Sequence, residues 1–391
     1  MQRLHAHDGV DRDAVGERDD QLRIDRATAL RVGGAAAMYG LANATLPETA
    51  PVAEAAESYP WMSTVKPVPL GKVHTVPSNA QTVVLGQFDP TRAPIVTVDS
   101  GDVVVYPNTW THFLNKLQPG VPIETLGQMR RDNPGRGPHS IIGPVAVNGA
   151  MPGDVVQVRF LNMRTIAFGA NFHNSSDLNT GVLPTDFPQG HVHYFELRSY
   201  PGYVVFNDKI KLQLRPFQGT FGIGPKGNTA ISSVPPNQWG GNMDCKEMTA
   251  GSSLFLPVFH PGGLLFTGDS HALQADGEVN LTAIETGMEE LRIQVILHQN
   301  AGYDWPMIET PTHWLALGFN PSLNTAMQLC LRNAIDFLSK KAGLSRADAY
   351  SLCSVAVDFR VSQMVDANNG IHAMIPKSIF AKDYVSTIAI V

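Results

Sequence analysis

Between positions 269 and 278 the sequence gathers Asp269, His271, Asp276 and Glu278, inside the stretch GGLLFTGDSHALQADGEVNLTAIE (262–285). Carboxylates and imidazoles are costly to bury unless they are paired or bound to a metal. Yet the flanks are apolar, Leu254 to Phe259 before and Leu281 to Ile284 after, as buried strands would be. Gly268 and Gly277 let the backbone turn tightly and approach a ligand. The stretch therefore reads as a polar loop held between two buried strands, a common setting for chemistry.

Other groups could also do chemistry. Asp244 follows the Gly240-Gly241-Asn242 turn, and His139 stands just before Ile141-Ile142-Gly143-Pro144. His191 and His193 share one face of a strand, because the period of two brings i and i+2 together, and they are a rival metal pair. Cys245 beside Lys246 and Glu247 raises the alternative of a cysteine nucleophile. Neighbours along a strand face opposite ways, which works against that trio. The glycines of PFQGTFGIGP (216–225) lack the Lys-Ser/Thr ending of a phosphate loop. They read as a tight loop packed against the site, forming its wall.

The elements that must position these residues are mostly strands. The chain has 391 residues, 43% hydrophobic and 16% charged, enough for a large core. The net charge of -6 and the lack of a basic cluster argue against nucleic acid. Three cysteines are too few and too scattered for a disulfide framework. No apolar run is long enough for a spanning helix. Alternating β-branched segments run from Val73 to Leu161, and VDSGDVVVY and AMPGDVVQV look like one turn-plus-strand unit used twice. Strand patterns also occur at Val192 to Leu197, Tyr203 to Phe206, Lys209 to Leu214 and Glu290 to His298. Pro321 to Lys341 has a helical period, Gly343 ends it, and Ser345 to Asp348 opens a second helix with a capping box. Val355 to Val365 and Ile371 to Ile375 then read as a hairpin.

Residues 1–60 differ in character. Arginines 23, 26 and 31, a weakly apolar run from Val32 to Leu41 and the small-residue site Ala42-Asn43-Ala44 have the layout of an export signal. The expected division is a leader or tail at 1–60, a β-rich catalytic core at 61–320, and C-terminal helices and hairpin at 321–391. Export would make the protein periplasmic or secreted; without it, it would be cytoplasmic.

The segments GPVAVNGAMPGD (143–154), GGNMD (240–244), GDSHALQADGEVNLTAIE (268–285) and SRADAYSLCSVAVDFRVSQMVD (345–366) resemble the acetamidase/formamidase family of amidohydrolases, with gaps, from about 70 to 380. The resemblance implies a mainly β fold, a jelly-roll-like sandwich with α/β additions and a C-terminal helical pair. It implies hydrolysis of a small linear amide or a lactam to a carboxylate and ammonia or amine, with a divalent metal, most often zinc, at the acidic site. Asp244, Asp269 and His271 are then the expected ligands, and Glu278 the expected base. His139 matches a position where the family often has histidine, and could bind metal or the oxyanion. Asn242, Gly268 and Gln274, inside the matching motifs, are expected substrate contacts, and a homodimer is the expected assembly. The sequence departs from the family pattern at Asn280-Leu281, where Cys-Gly is usual, and at Asn148, where Glu is usual. A non-catalytic β-sandwich that binds a small molecule is the other class of function. Convergence of Asp244, Asp269, His271 and Glu278 is what separates the two.

Overall fold

The computed structural model describes residues 68–391. The segment read as a leader lies outside them. Two nine-stranded sheets carry the fold. The first runs, in spatial order, Val73–Thr75, Val103–Pro107, Met288–His298, Val155–Thr165, Ser253–Pro257, Met307–Glu309, His313–Asn320, Asn369–Pro376 and Asp358–Gln363. The two copies of the repeated unit lie on either side of Met288–His298 in this sheet. Each begins with the same turn: Asp102 accepts from the Asp99 amide and Asp154 from the Met151 amide.

The second sheet positions the site. Its strands are β1 (Ser140–Val147), β2 (Phe168–His173), β3 (His191–Glu196), β4 (Phe217–Gly222), β5 (Gly240–Asn242), β6 (Leu265–Leu273) and β7 (Ile284–Thr286), with two short strands added beside β1. β6 is its hub. One edge pairs with β4 along most of its length. The other edge divides: β1 takes the first half and β7 the second. The sheets pack face to face, Val158, Phe160, Leu256 and Ile293 of the first against Ile142, Phe221 and Leu265 of the second. Phe160 meets Phe221 edge-on at 5.8 Å.

Three helices matter. α1 (Ile123–Arg131) packs Leu126 among Phe113, Ala170 and Phe172, against the second sheet. α2 (Leu323–Lys341) and α3 (Arg346–Ala356) form the expected C-terminal pair. Ser345 caps α3 by accepting from the Asp348 amide at 3.1 Å. α2 covers the outer face of the first sheet, placing Ala334, Phe337 and Leu338 over Trp314 and Ala316. That second covering explains why strand His313–Asn320 is buried almost throughout instead of alternating. Among the described residues no helix is long and apolar enough to cross a membrane.

The structure corrects two expectations. The acidic stretch is not a loop between strands, because Asp269, Ser270 and His271 lie within strand β6. PFQGTFGIGP is not a loop either, since Phe217 to Gly222 form β4, buried along its whole length. Its glycines mark close approach: a Cβ on Gly222 would lie 2.9 Å from the Gly241 amide nitrogen.

Gly318 does the same for α2. A Cβ there would lie 2.4 Å from the Cys330 nitrogen and 2.5 Å from the Ala326 carbonyl, both rigid helix backbone. Overpacking of this kind costs about 1–3 kcal/mol. Gly318→Ala is expected to lower the urea midpoint accordingly, and an unchanged midpoint would show that the helix does not press on the strand there.

Candidate active site

One buried cavity of about 70 Å³ gathers five carboxyl groups (Asp244, Asp269, Glu278, Glu285, Asp366) and three imidazoles (His112, His139, His271). All eight are less than a tenth exposed. They come from seven separate segments. β6 supplies Asp269 and His271 on one face, while Ser270 between them turns away to Gln218. β7 supplies Glu285, paired across the strands with His271. The loop after β5 brings Asp244 and the loop after β6 brings Glu278. His139 precedes β1, His112 lies just after strand Val103–Pro107, and Asp366 lies in the turn of the C-terminal hairpin.

The two nitrogens of His271 face different groups. Nε2 lies 3.2 Å from Asp269 Oδ1 and 3.1 Å from Glu285 Oε2. Nδ1 lies 3.8 Å from Asp244 Oδ1. His112 Nε2 stands 3.6 Å from both Asp269 Oδ1 and Glu285 Oε2. His139 shares a 2.7 Å hydrogen bond through Nδ1 with buried Ser233 and packs edge-on to His112 at 5.2 Å. Thr220 steadies Asp269 Oδ2 at 3.1 Å and also donates to Asn242.

These neighbours set the protonation states. Burial pushes Asp269 up, but His271 and His139 outweigh it and hold its carboxyl well below the usual range. Burial pushes His271 down, but Glu285 and Asp269 raise it well above an ordinary imidazole. In Asp244, Glu278 and Asp366 burial is not outweighed. Burial, reinforced by Asp269, pushes Asp244 up to about 7. Burial, together with neighbouring Asp244, raises Glu278 and Asp366 well above the usual range. Burial lowers His112 and His139 to about 4, so both are neutral near pH 7.

This donor set fits a divalent cation. Imidazole nitrogen and carboxylate oxygen are the ligands zinc and its neighbours take. Asp244, His271 and Glu278 offer ligand atoms within 4.8 Å of one another, and so do His112, His139 and Asp269. Asp244 Oδ1 and Oδ2, His271 Nδ1 and Glu278 Oε2 are buried and have no hydrogen-bond donor among the described residues. Buried acceptors without donors are rare and destabilising, and a cation satisfies them. The backbone carries strain at the same residues: Asp244, Asp269 and Glu278 sit at φ of +44°, +58° and +46°. Gly219 of β4 lets the group close up. A Cβ there would fall 2.5 Å from His271 Cε1, 2.6 Å from Asp244 Oδ1 and 2.8 Å from Asp269 Oδ2.

The structure thus brings together Asp244, Asp269, His271, Glu278 and His139, with Asn242 also on the cavity wall. Gly268 and Gln274, expected as substrate contacts, do not line it. Gly268 is pressed against Ser140, and Gln274 braces the backbone by donating to the carbonyls of Asp244 and Ser362. Asp276 pairs with Lys246 instead of joining the acids. Among the described residues, the groups able to hold a metal do not include His191 or His193. His193 stacks on Phe195 at 4.2 Å, and His191 is exposed opposite His173. Cys245 is buried in the apolar core, where burial pushes its thiol up, and Glu247 is held by Arg215. That environment is wrong for a thiolate nucleophile. His112 lies in no quoted motif, and Glu285 and Asp366 close two of the quoted segments without being singled out. Glu285 closed the quoted stretch, but only the β6–β7 register reveals that it faces His271.

The acetamidase/formamidase family model matches residues 225–382. A formamidase from Methylophilus methylotrophus is 27% identical over 318 residues, 63% of this chain and 78% of that protein. An acetamidase from Mycolicibacterium smegmatis is 49% identical over 61 residues, 15% of each chain. The crystal structure of an acetamidase from Yersinia enterocolitica covers 80% of this chain and 94% of its own, with a TM-score of 0.71 and 29% identity. The matched region holds Asp244, Asp269, His271, Glu278, Glu285 and Asp366, so sequence and fold agree in their likeness to the acetamidase/formamidase family.

Proposed function

We propose that the chain hydrolyses small amides to a carboxylate and ammonia or amine with the help of one or more divalent cations, zinc first among the candidates. The likeness to formamidases and acetamidases supports amide hydrolysis as its reaction. The observation that carries the metal is the group of buried, donorless acceptor atoms on Asp244, His271 and Glu278. These three would hold the ion. Asp269 and Glu285, at His271 Nε2, fix the tilt of the ring so that Nδ1 points at it. When bound, such an ion supplies Lewis-acid polarisation and a water of lowered pKa. In this reading Glu278 is a ligand, and the base is His139. Burial keeps it neutral, Ser233 fixes its Nδ1, and its Nε2 is then the atom that takes the proton of the attacking water and returns it to the leaving nitrogen. Apolar Phe113, Phe172 and Leu281 line the remaining wall and limit the substrate to a short linear amide or a small lactam.

Metal analysis of the purified protein by plasma mass spectrometry tests the first claim. About one divalent ion or more per chain is expected, lost in Asp244→Ala, with ammonia release from formamide or acetamide lost on chelation and restored by zinc. A folded, metal-free protein that turns over amide would overturn it. Gly219→Ala is expected to lower kcat/KM by about 100-fold or more, because the methyl group displaces three site side chains at once. Wild-type turnover in that variant would show that the three do not work as a closed group. His139→Ala is expected to cost about 10²–10⁴ in kcat while the metal content stays that of wild type. Metal lost in parallel would make His139 a ligand instead of a base.

A further inference from the structure

We propose that Arg130 selects amides whose far end carries a carboxylate, such as the monoamide of a short dicarboxylic acid. This rests on the amide-hydrolase reading of the cavity. The argument begins with the helix. In α1, Ile123, Leu126, Gly127 and Arg130 follow the i, i+3, i+4, i+7 spacing of a single face. Leu126 on that face is fully buried among Phe113 and Phe172, which themselves line the cavity. Arg130 thus stands where an inward helix face ordinarily continues apolar, and it lines the cavity too. Its neighbour Arg131 turns outward and pairs with Asp177 at 3.1 Å.

Arg130 has no such close ion pair, although the charge of Asp366 acts on it. Among the described residues no carboxylate oxygen lies within the 4.0 Å of an ion pair with it. One guanidinium nitrogen, Nη1, donates to the Arg136 carbonyl, which anchors that side of the guanidinium and leaves the other nitrogens without a hydrogen-bond partner among the described residues. Its charge nevertheless reaches the site, disfavouring the protonated forms of His112 and His139. The lining therefore sets one half-buried cation, Arg130, in the same cavity as the buried acids, with Asp366 as the acid that acts on it, and adds the apolar Phe113, Phe172, Leu281 and Val365. A guanidinium offers two parallel donors that match a carboxylate. An amide group held at the acids would offer the distal end of a short chain to Arg130. The small volume of the cavity keeps that chain to a few carbons.

The alternative is that Arg130 merely offsets the negative charge of the acids, in which case it acts on every substrate alike. The test compares succinamate with butyramide, two amides of equal length, on the full-length, metal-loaded enzyme. Wild type is expected to favour succinamate in kcat/KM by about tenfold or more. In Arg130→Met that ratio is expected to fall about 10- to 100-fold, mainly through KM, the range a charge-assisted hydrogen-bonded pair supports. Arg130→Lys, which keeps the charge without the fork, is expected to recover part of it. Butyramide hydrolysed as fast as succinamate by wild type, or both substrates losing equally in Arg130→Met, overturns the inference and leaves amide hydrolysis standing. Ammonia from none of formamide, acetamide, butyramide or succinamate, with metal bound, overturns amide hydrolysis itself and this inference with it. Product inhibition of wild type gives a reading independent of the folding of any variant. Succinate is expected to inhibit at least about tenfold more tightly than butyrate, and equal inhibition overturns the proposal.

Discussion

Five carboxyl groups share a cavity with three imidazoles, and the cost of burying that negative charge governs the rest of the site. Ionised carboxylates this deep need protons, cations or donors. The structure supplies only some of these. Asp269 is covered by His271, His112 and Thr220, and Glu285 by His271. Asp244, Glu278 and Asp366 are left facing one another, and their raised pKa values record the deficit. A two-positive ion among them removes the deficit at once. That is a stronger argument for a metal than ligand spacing alone, because surface acids cluster without needing one.

Holding such a group together demands a scaffold that does not relax. β6 lies between a full-length partner on one edge and two half-length partners on the other, so Asp269 and His271 sit at the most constrained point of the sheet. The loop carrying Glu278 is clasped from outside: the Gly277 amide donates to the Ser362 carbonyl, and the Met364 amide donates back to Gly277. Gln363 turns the tip of the same hairpin by accepting from the amides of Val365 and Asp366. The C-terminal hairpin is thus both the last pair of strands in the first sheet and the clamp on the catalytic loop of the second.

How much of this was legible follows from how local each signal is. The helical pair, its Ser345 cap and the hairpin were written in short-range patterns, and the structure places them where periodicity put them. So was the clustering of Asp269, His271 and Glu278, whose residues lie close along the chain. The strand character of 265–273 and 217–222 was masked. Glycine and aspartate are poor strand formers by propensity, and here burial and close approach overrode it. Gly219 reads as a turn residue until the side chains packed against its missing Cβ are known. His112, Glu285 and Asp366 reach the cavity only through pairings that span tens to hundreds of residues. Glu285, in particular, looks like a strand residue before its register with His271 is drawn.

The same long range makes the site and the fold one cooperative object. The donors run from His112 to Asp366, so nothing resembling the site exists until both sheets and the hairpin have formed. A cation that binds only this assembled state stabilises it in proportion to the logarithm of its free concentration over its dissociation constant. The left-handed backbone at Asp244, Asp269 and Glu278 is held by the surrounding strands. In the proposed reading, an ion would relieve the repulsion among their carboxylates. Chemistry that depends on donors fixed to within about half an ångström is served by a scaffold that holds its side chains this firmly.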